Sequence, residues 1–172
     1  MDLGWLETRL EKASDVEAVL REATDAICKE FKADRLTIYR ASEDGAVLSS
    51  IVQAGIESFG TVKVRIDSNR SVAGYVGATR AVVNIRDAYD DTEMAALSMT
   101  HKMFKAVDER TGFRTTQVLG APIVSSGGKL LGVLELLNRL DGRRFPTACE
   151  PDVKQLCATI AAALEKQRVP AA

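Results

Sequence analysis

The stretch DERTGFRT, residues 108–115, is a polar, turn-like segment that stands directly before two apolar runs with the composition of β-strands. Its glycine permits a positive φ or a close backbone approach. The hydroxyls of Thr111 and Thr115 can donate and accept hydrogen bonds, whereas ionised Asp108 can only accept them. Such a segment is typical either of a capped loop or of a place where something polar is held.

The two apolar runs cover residues 116–124 and 130–138, and the turn-forming SSGGK at 125–129 joins them. Glu135 lies in the middle of the second run. A carboxylate in a central strand is costly unless it is paired or reaches an open face of the sheet. We therefore expect Glu135 either on a solvated face or in the wall of a polar pocket.

Both ends of the chain predict helices. Apolar residues recur at helical spacing through residues 2–12 and from 16 to 31, and Ser14 with Glu17 reads as a capping box. A last helix over about 150–167 carries an unbroken apolar stripe.

The middle of the chain predicts mainly strands. In order, the elements are strands near 36–39, 46–54 and 61–66, a short helix capped by Ser71, a strand at 82–85, and a helix or ordered loop over 90–107. The sum is an α+β domain with a mostly antiparallel sheet. We treat residues 1–172 as a single domain with its core at about 15–165, an N-terminal helix at 1–13 and a tail at 168–172.

Composition narrows the class of protein. The 172 residues are 46% hydrophobic and 27% charged, as in ordinary globular proteins. A net charge of −1 gives no general attraction to nucleic acid or an anionic membrane, so we expect neither as a partner. There is no run of roughly 20 apolar residues and no signal-peptide pattern at the start, so we expect a cytoplasmic location.

Metal sites and cysteine chemistry are disfavoured. The three cysteines, at 28, 149 and 157, are odd in number and widely spaced, and no CxxC is present. A Cys–His nucleophile would have to use His101, the single histidine, in a segment expected to be polar and helical. We therefore expect no metal, no cofactor and no catalytic residue.

Three strings in this order, VRIDSNRSVAGYVGATRAVVNIRDAY, DERTGFRT and LGVLELLNR, closely resemble the GAF domains of cyclic-nucleotide phosphodiesterases and cyanobacterial adenylyl cyclases. The resemblance covers roughly residues 15–165. It implies a six-stranded, mostly antiparallel sheet with the terminal helices on one face. A ligand pocket would lie on the other face, under short helices and loops.

The resemblance also implies which residues bind a ligand. In cyclic-nucleotide-binding members, backbone amides at the start of the short helix hold the phosphate, as helix N-termini hold anions. An acidic residue, two threonines, a strand glutamate, an aromatic in the lid and positions on the first two strands complete the site. The matching positions here are Val72 and Ala73, then Asp108, Thr111, Thr115, Glu135 and Phe104, and for the purine edge Thr37, Val52 and Gln53.

The sequence departs from the family at a signature of Asn, Lys, Phe, Asp and Glu. The family's Lys–Asp ion pair is thought to hold the ligand-enclosing architecture together. Arginine can replace the lysine, but a cysteine cannot accept as a carboxylate does, so either the next residue, Glu150, substitutes for the aspartate or the ion pair is absent. The corresponding residues here are Asn138, Arg139, Phe145, Cys149 and Glu150.

The resemblance implies a non-enzymatic sensor that binds a purine cyclic nucleotide and signals through its terminal helices to an attached or partner output domain. An acid at the base edge would favour guanine's adjacent N–H donors; Gln53 stands there instead, so cyclic AMP is favoured.

The alternative is a GAF module without a nucleotide ligand that dimerises or senses another small molecule. Any apolar helix face not spent on the sheet would pair two chains, so we expect a homodimer. GAF proteins that reduce free methionine sulfoxide use cysteines in the pocket, whereas the cysteines here fall in or near the terminal helices, so we do not expect an enzyme.

Overall fold

The computed structural model describes residues 3–54, 60–67, 70–100 and 102–168, which form one antiparallel sheet with helices on both faces. The helices are α1 (Gly4–Glu11), α2 (Val16–Phe31), α3 (Val72–Thr79), α4 (Asp91–Ala95), α5 (Lys102–Thr111) and α6 (Cys149–Arg168). The strands are β1 (Ala33–Ala41), β2 (Val47–Gln53), β3 (Lys63–Arg65), β4 (Val83–Ile85), β5 (Val118–Val124) and β6 (Leu130–Arg139).

The six strands lie in the order β3-β2-β1-β6-β5-β4, and each neighbouring pair is antiparallel. The expected α+β class and six-stranded antiparallel sheet are confirmed. β1 and β6 form the centre, where Thr37 is paired with Glu135 and Arg35 with Leu137. An irregularity between Ile38 and Tyr39 shifts the register of β1 against β2 by one residue.

One face of the sheet, which we call the helix face, is covered by α1, α2 and α6. The apolar stripes expected from the sequence form its core, because residues three and four apart on a helix share one side. Within the described residues, these stripes are buried against the sheet. The stripe and strand residues include Leu20, Ile27 and Phe31 of α2, Leu156 and Ile160 of α6, and Ile38, Leu134 and Leu136 of the sheet.

The opposite face, which we call the cavity face, carries α3, α4 and α5. Val72 and Val76 of α3 and Met94 of α4 are buried with Tyr39 and Val133 of the sheet. Gly120 on β5 lets α3 come close, because a Cβ there would lie 3.1 Å from Val76 Cγ2 and 3.5 Å from Val72 Cγ1.

Two local expectations are corrected by the structure. Ser14 is not the cap of α2: Asp15 is, and its carboxylate accepts from the backbone N–H of Ala18 at 3.0 Å. Glu17 forms an ion pair with Arg40 at 3.0 Å instead of closing a capping box.

The segment 108–115 is also different from the expected turn. Residues 108–111 are the last turn of α5, and Gly112 directly follows the helix, with a φ of +69° and an N–H that donates to Asp108 O at 2.8 Å. A left-handed residue at this position is the common way to end a helix.

Some expectations lie outside the described residues, namely those for His101 and for the tail residues 169–172. In the described ranges, no helix is both long and apolar enough to span a bilayer.

Candidate functional site

A cavity of about 130 Å³ lies between the cavity face of the sheet and α5. Because side chains alternate along a strand, Thr37 and Tyr39 of β1 share its floor with Glu135 and Leu137 of β6. The remaining wall residues are Val62 and Val64 around β3, Ser71 and Val72 at the start of α3, Phe104, Val107 and Asp108 of α5, and Thr115.

Asp108 ties α5 to the segment that leads into β5. Its carboxylate is 8% exposed and accepts from the Tyr89 hydroxyl at 2.7 Å, the Thr115 N–H at 2.9 Å and the Thr115 hydroxyl at 3.0 Å. A buried carboxylate with three donors is well satisfied. Asp108 is therefore a buried polar group, held by three hydrogen bonds, at one end of the cavity.

Glu135 is the second buried carboxylate and lies at the centre of the sheet. It accepts from the Tyr39 hydroxyl and from the backbone N–H of Ala73, and it is 7% exposed. Burial raises its pKa to about 7, and the two hydrogen bonds only partly oppose that rise. Burial first, and then the charge of Glu135, raise the pKa of Tyr39 well above its usual value.

The start of α3 is held close to this carboxylate. Ser71 caps the helix, as expected, by accepting from the Gly74 N–H at 2.9 Å. Gly74 permits a close approach, since a Cβ there would lie 2.5 Å from Arg65 O. The amide of Ala73, which the resemblance assigns to a phosphate, thus donates to Glu135 in this structure.

The cavity is distinguished by what lines it and not by its size. It is smaller than the roughly 300–1,000 Å³ of typical small-molecule sites. Grooves of about 520 Å³ between α1 and α6 and about 490 Å³ between α2 and β2 are larger. The first of these is lined by charged surface residues such as Glu7, Lys12 and Lys166, whereas the cavity has buried carboxylates on two sides.

The structure brings most of the ligand-binding residues expected from the sequence to this cavity. Ala73 is adjacent through its bond to Glu135. Those that line the cavity are Thr37, Val72, Phe104, Asp108, Thr115 and Glu135.

Three expected residues lie elsewhere. Val52 is paired with Ile38, one step beyond the register shift, and is buried in the helix-face core. Gln53 lines the groove between α2 and β2 and donates to Gly60 O at 2.7 Å. Thr111 accepts from the Phe113 N–H at 3.3 Å at the end of α5 and does not line the cavity.

Sequence reasoning missed several cavity residues. Strand alternation would have placed Tyr39 beside Thr37 and Leu137 beside Glu135, because residues two apart share a face. Val107 of α5 is 47% exposed, which is unusual for a large apolar side chain that also faces a cavity. No pattern in the sequence marks it.

The signature residues form contacts other than the family's ion pair. Arg139 pairs with Asp141 at 3.1 Å, so Glu150 does not replace the missing carboxylate. Glu150 instead accepts from the Asn84 side chain at 3.2 Å. Asn138 accepts from the Thr116 N–H and donates to Arg114 O, each at 2.7 Å, which fixes the backbone around Thr115.

The cysteines lie away from the cavity. Cys28 is on α2 and Cys149 and Cys157 are on α6; Cys157 is buried in the helix-face core, and the other two are partly buried against it. Burial raises the pKa of Cys28 to about 11, so its thiol is protonated near neutral pH. Among the described residues, no group of three or more His, Cys, Asp or Glu side chains is arranged to hold a metal ion.

In a comparison with protein families, the GAF domain family model matches residues 15–164 of this chain. A probable 3',5'-cyclic phosphodiesterase (pde-5) of Caenorhabditis elegans is 28% identical over 136 residues, which are 74% of this chain. The match spans only 17% of that curated relative.

Solved structures match almost the whole fold. The GAF domain of a phosphoenolpyruvate-protein phosphotransferase from Coxiella burnetii aligns with a TM-score of 0.77 and 20% identity, over 96% of this chain and 92% of that one. Free methionine-R-sulfoxide reductase from Neisseria meningitidis, in complex with its substrate, aligns with a TM-score of 0.72 and 15% identity, over 96% and 87%. At such identities these similarities establish the fold alone.

Proposed function

The chain belongs to the GAF domain family of sensing and regulatory modules, and we propose that it binds a purine cyclic nucleotide in the cavity beneath α5. The observation that supports this most is the pair of buried carboxylates, Asp108 of α5 and Glu135 of β6, that line one cavity. Buried polar groups cost stability, so their concentration at one cavity indicates a site that is used. The relative named as a cyclic phosphodiesterase supports the ligand class.

Binding requires the cavity to enlarge. A nucleotide does not fit in about 130 Å³, so binding would displace a wall of the cavity, and we propose that this wall is α5, which contributes Phe104, Val107 and Asp108. The phosphate would take the Ala73 N–H at the start of α3, an anion position at a helix N-terminus. Glu135 would then release that amide, so its carboxylate competes with the ligand phosphate.

The proposed signal passes across the sheet. Thr115 links Asp108 to the start of β5, and Ala121 of β5 is buried in the core with α6. The Cys157 thiol contacts Ala121 O at 3.9 Å. A shift of α5 on binding would therefore reach the C-terminal helix through one strand, and from there an attached or partner output domain.

Gln53 gives no reason to favour cyclic AMP. Its amide donates to Gly60 O, and it lies outside the cavity. The choice of base must therefore depend on another residue of the cavity face.

A non-enzymatic role agrees with the position of the cysteines on the helix face. The alternative of a ligand-free dimerisation module has less support, because the apolar stripes of α2 and α6 are buried against the sheet and do not face a second chain. Trp5 of α1 is not buried with these stripes, since it is 38% exposed. The homodimer and the cytoplasmic location remain predictions.

Calorimetric titration of the folded domain with cyclic AMP and cyclic GMP tests the proposal. We expect saturable binding at micromolar concentration or below, which Asp108→Ala abolishes. Glu109→Ala is the matched control, since Glu109 is the next carboxylate on α5 but its side chain is 69% exposed and pairs with Lys105 at 3.9 Å.

Circular dichroism must show that each variant is folded. Thr37→Val, which replaces a cavity hydroxyl by a methyl group of similar size, serves if Asp108→Ala does not fold. Absence of heat with both nucleotides in the folded wild type would contradict the proposal, and a different small ligand would then be sought.

A further inference from the structure

The chain between α5 and β5, residues 112–117, is held by two arginine–aromatic stacks. In the first, the Arg35 guanidinium lies over the Phe113 ring, with Cζ 3.5 Å from the ring centroid. In the second, the Arg114 guanidinium lies over the Tyr89 ring, with Cζ 3.9 Å from the centroid. The stacks act on two successive residues, Phe113 and Arg114, and we call them together the arginine clamp.

Arg35 connects the clamp to the centre of the sheet. It lies on β1 and is paired with Leu137 of β6, and it does not itself line the cavity. Its Nη1 is buried, and no acceptor meets that atom in the part of the chain that the structure describes. The stack on Phe113 therefore orients this guanidinium, since the negative face of an aromatic ring attracts a cation.

Arg114 connects the clamp to the cavity through Tyr89. The Tyr89 hydroxyl donates to the Asp108 carboxylate at 2.7 Å. The backbone beside this ring is fixed as well, because the Ala88 N–H donates to Thr116 O at 2.8 Å. A guanidinium over the ring face limits the positions that the ring can take, and with them the direction from which its hydroxyl meets Asp108. Arg114 is itself exposed, so its influence on the cavity passes through this ring.

The clamp acts on the chain that separates two cavity residues. Asp108, in the last turn of α5, accepts from the Thr115 N–H at 2.9 Å and from the Thr115 hydroxyl at 3.0 Å. Phe113 and Arg114 lie between these two residues, just after Gly112, and glycine has the widest backbone freedom. Contacts that restrict Phe113 and Arg114 leave fewer conformations to compete with the one in which Asp108 holds Thr115.

We propose that Arg35 and Arg114 are positioning residues of the cavity, which hold Asp108 and Thr115 in its wall by clamping the chain between these two. The inference rests on the proposed function in taking this cavity as the site. The clamp is present in the ligand-free domain, so it can be tested without a nucleotide.

The test is amide hydrogen exchange of the ¹⁵N-labelled, ligand-free domain, followed by NMR. The Thr115 N–H exchanges when its bond to Asp108 opens, whereas the N–H of Leu20, in the buried core of the helix face, exchanges when a much larger part of the fold opens. Loss of the clamp should therefore speed exchange at Thr115 and leave Leu20 nearly unchanged. A merely structural role would instead lower the global stability and speed exchange at Leu20.

Arg35→Met and Arg114→Met each remove a guanidinium and keep an unbranched side chain. We expect each to speed exchange at Thr115 about 3- to 10-fold, the size of effect usual for a cation over an aromatic ring. Arg110→Met is the matched control, because Arg110 is an exposed arginine in the last turn of α5. It should change the exchange rate by less than about twofold, as surface substitutions usually do.

A double variant tests whether Arg35 acts through Phe113. Phe113→Leu removes the ring, so Arg35→Met added to it should speed exchange at Thr115 no further. An Arg35→Met effect of full size without the ring would show that stacking is not how Arg35 acts. Phe113→Leu alone serves if Arg35→Met does not fold.

The outcomes separate the two proposals. Unchanged exchange at Thr115 in both arginine variants, or an equal acceleration at Leu20, would overturn the positioning role. In calorimetry, the arginine variants should bind the nucleotide that the wild type binds about 3- to 10-fold more weakly, and unchanged affinity would contradict a role in the site. A folded wild type that binds neither cyclic AMP nor cyclic GMP would overturn the proposed function and not the clamp, which the exchange rates decide.

Discussion

The two faces of the sheet are made from the same strands but bury different chemistry. Three successive residues of β6 show the difference: Leu134 and Leu136 on the helix face are fully buried in an apolar core, while Glu135 between them is 7% exposed on the cavity face. Burial of the leucines stabilises the fold, whereas burial of the carboxylate opposes it. The helix face buries an apolar core, whereas the cavity face buries an apolar cluster together with two carboxylates, and we propose that these carboxylates mark the site.

The largest effect should follow from damage to the helix face. Leu134→Ala removes a fully buried side chain and should lower the free energy of unfolding by roughly 2–5 kcal/mol. Urea denaturation measures this. Nucleotide affinity of the remaining folded protein should stay unchanged, and a large loss of affinity in folded Leu134→Ala would show that the two faces are not separable in this way.

The next effect is the pH dependence of stability caused by Glu135. Because its pKa in the folded protein is raised to about 7 from 4.5, the folded state binds a proton more tightly than the unfolded state. The free energy of unfolding should therefore fall as pH rises from about 4.5 to about 7, by roughly 3 kcal/mol in total.

Glu135→Gln should remove this contribution, and urea titrations at several pH values in both proteins give the comparison. Glu109→Gln, which changes an exposed carboxylate, is the control. If wild type and Glu135→Gln showed the same pH profile, the buried carboxylate would not have the raised pKa on which this contrast depends.

Asp108→Asn should lower the free energy of unfolding by less, about 2 kcal/mol. The amide has one acceptor oxygen, whereas both oxygens of the carboxylate accept hydrogen bonds from Tyr89 and Thr115. Thermal or urea unfolding measures the loss. An Asn variant as stable as wild type would indicate that the hydrogen bonds of Asp108 to Tyr89 and Thr115 do not stabilise this end of the cavity.

The smallest expected effect is the pH dependence of nucleotide affinity. If Glu135 and the ligand phosphate compete for the Ala73 N–H, lowering the pH from about 8 to about 6 should tighten binding by up to about tenfold. Calorimetry at both pH values measures this. The Glu135→Gln variant should bind with nearly the same affinity at the two pH values, and an equal dependence in the variant would contradict the competition.

Much of this fold could be predicted because its signals are local. The apolar stripes of α2 and α6, the hairpin of β1 and β2, and the Ser71 cap each depend on residues close in sequence. Glu135 was noticeable because it interrupts an apolar run, and Asp108 because it begins the polar segment that stands before the two runs.

The remaining features depend on contacts that periodicity does not show. The register shift between Ile38 and Tyr39 leaves Val52 on the helix face, since one extra residue exchanges the two faces of a strand. Asp15 caps α2 although Ser14 beside it is an equally good capping residue. Arg35 resembles any surface arginine until its stacking on Phe113 is seen.

The most direct test of the central claim is a titration of the ¹⁵N-labelled domain with cyclic GMP, followed through backbone amide chemical shifts. If the cavity face holds the ligand, the largest changes should occur at Ala73, whose N–H would exchange Glu135 for a phosphate, and at Thr115. Leu20 of α2, which is in the helix-face core and off the proposed route to α6, should change little. Changes confined to the α1–α6 groove or the α2–β2 groove, with Ala73 unmoved, would contradict the account.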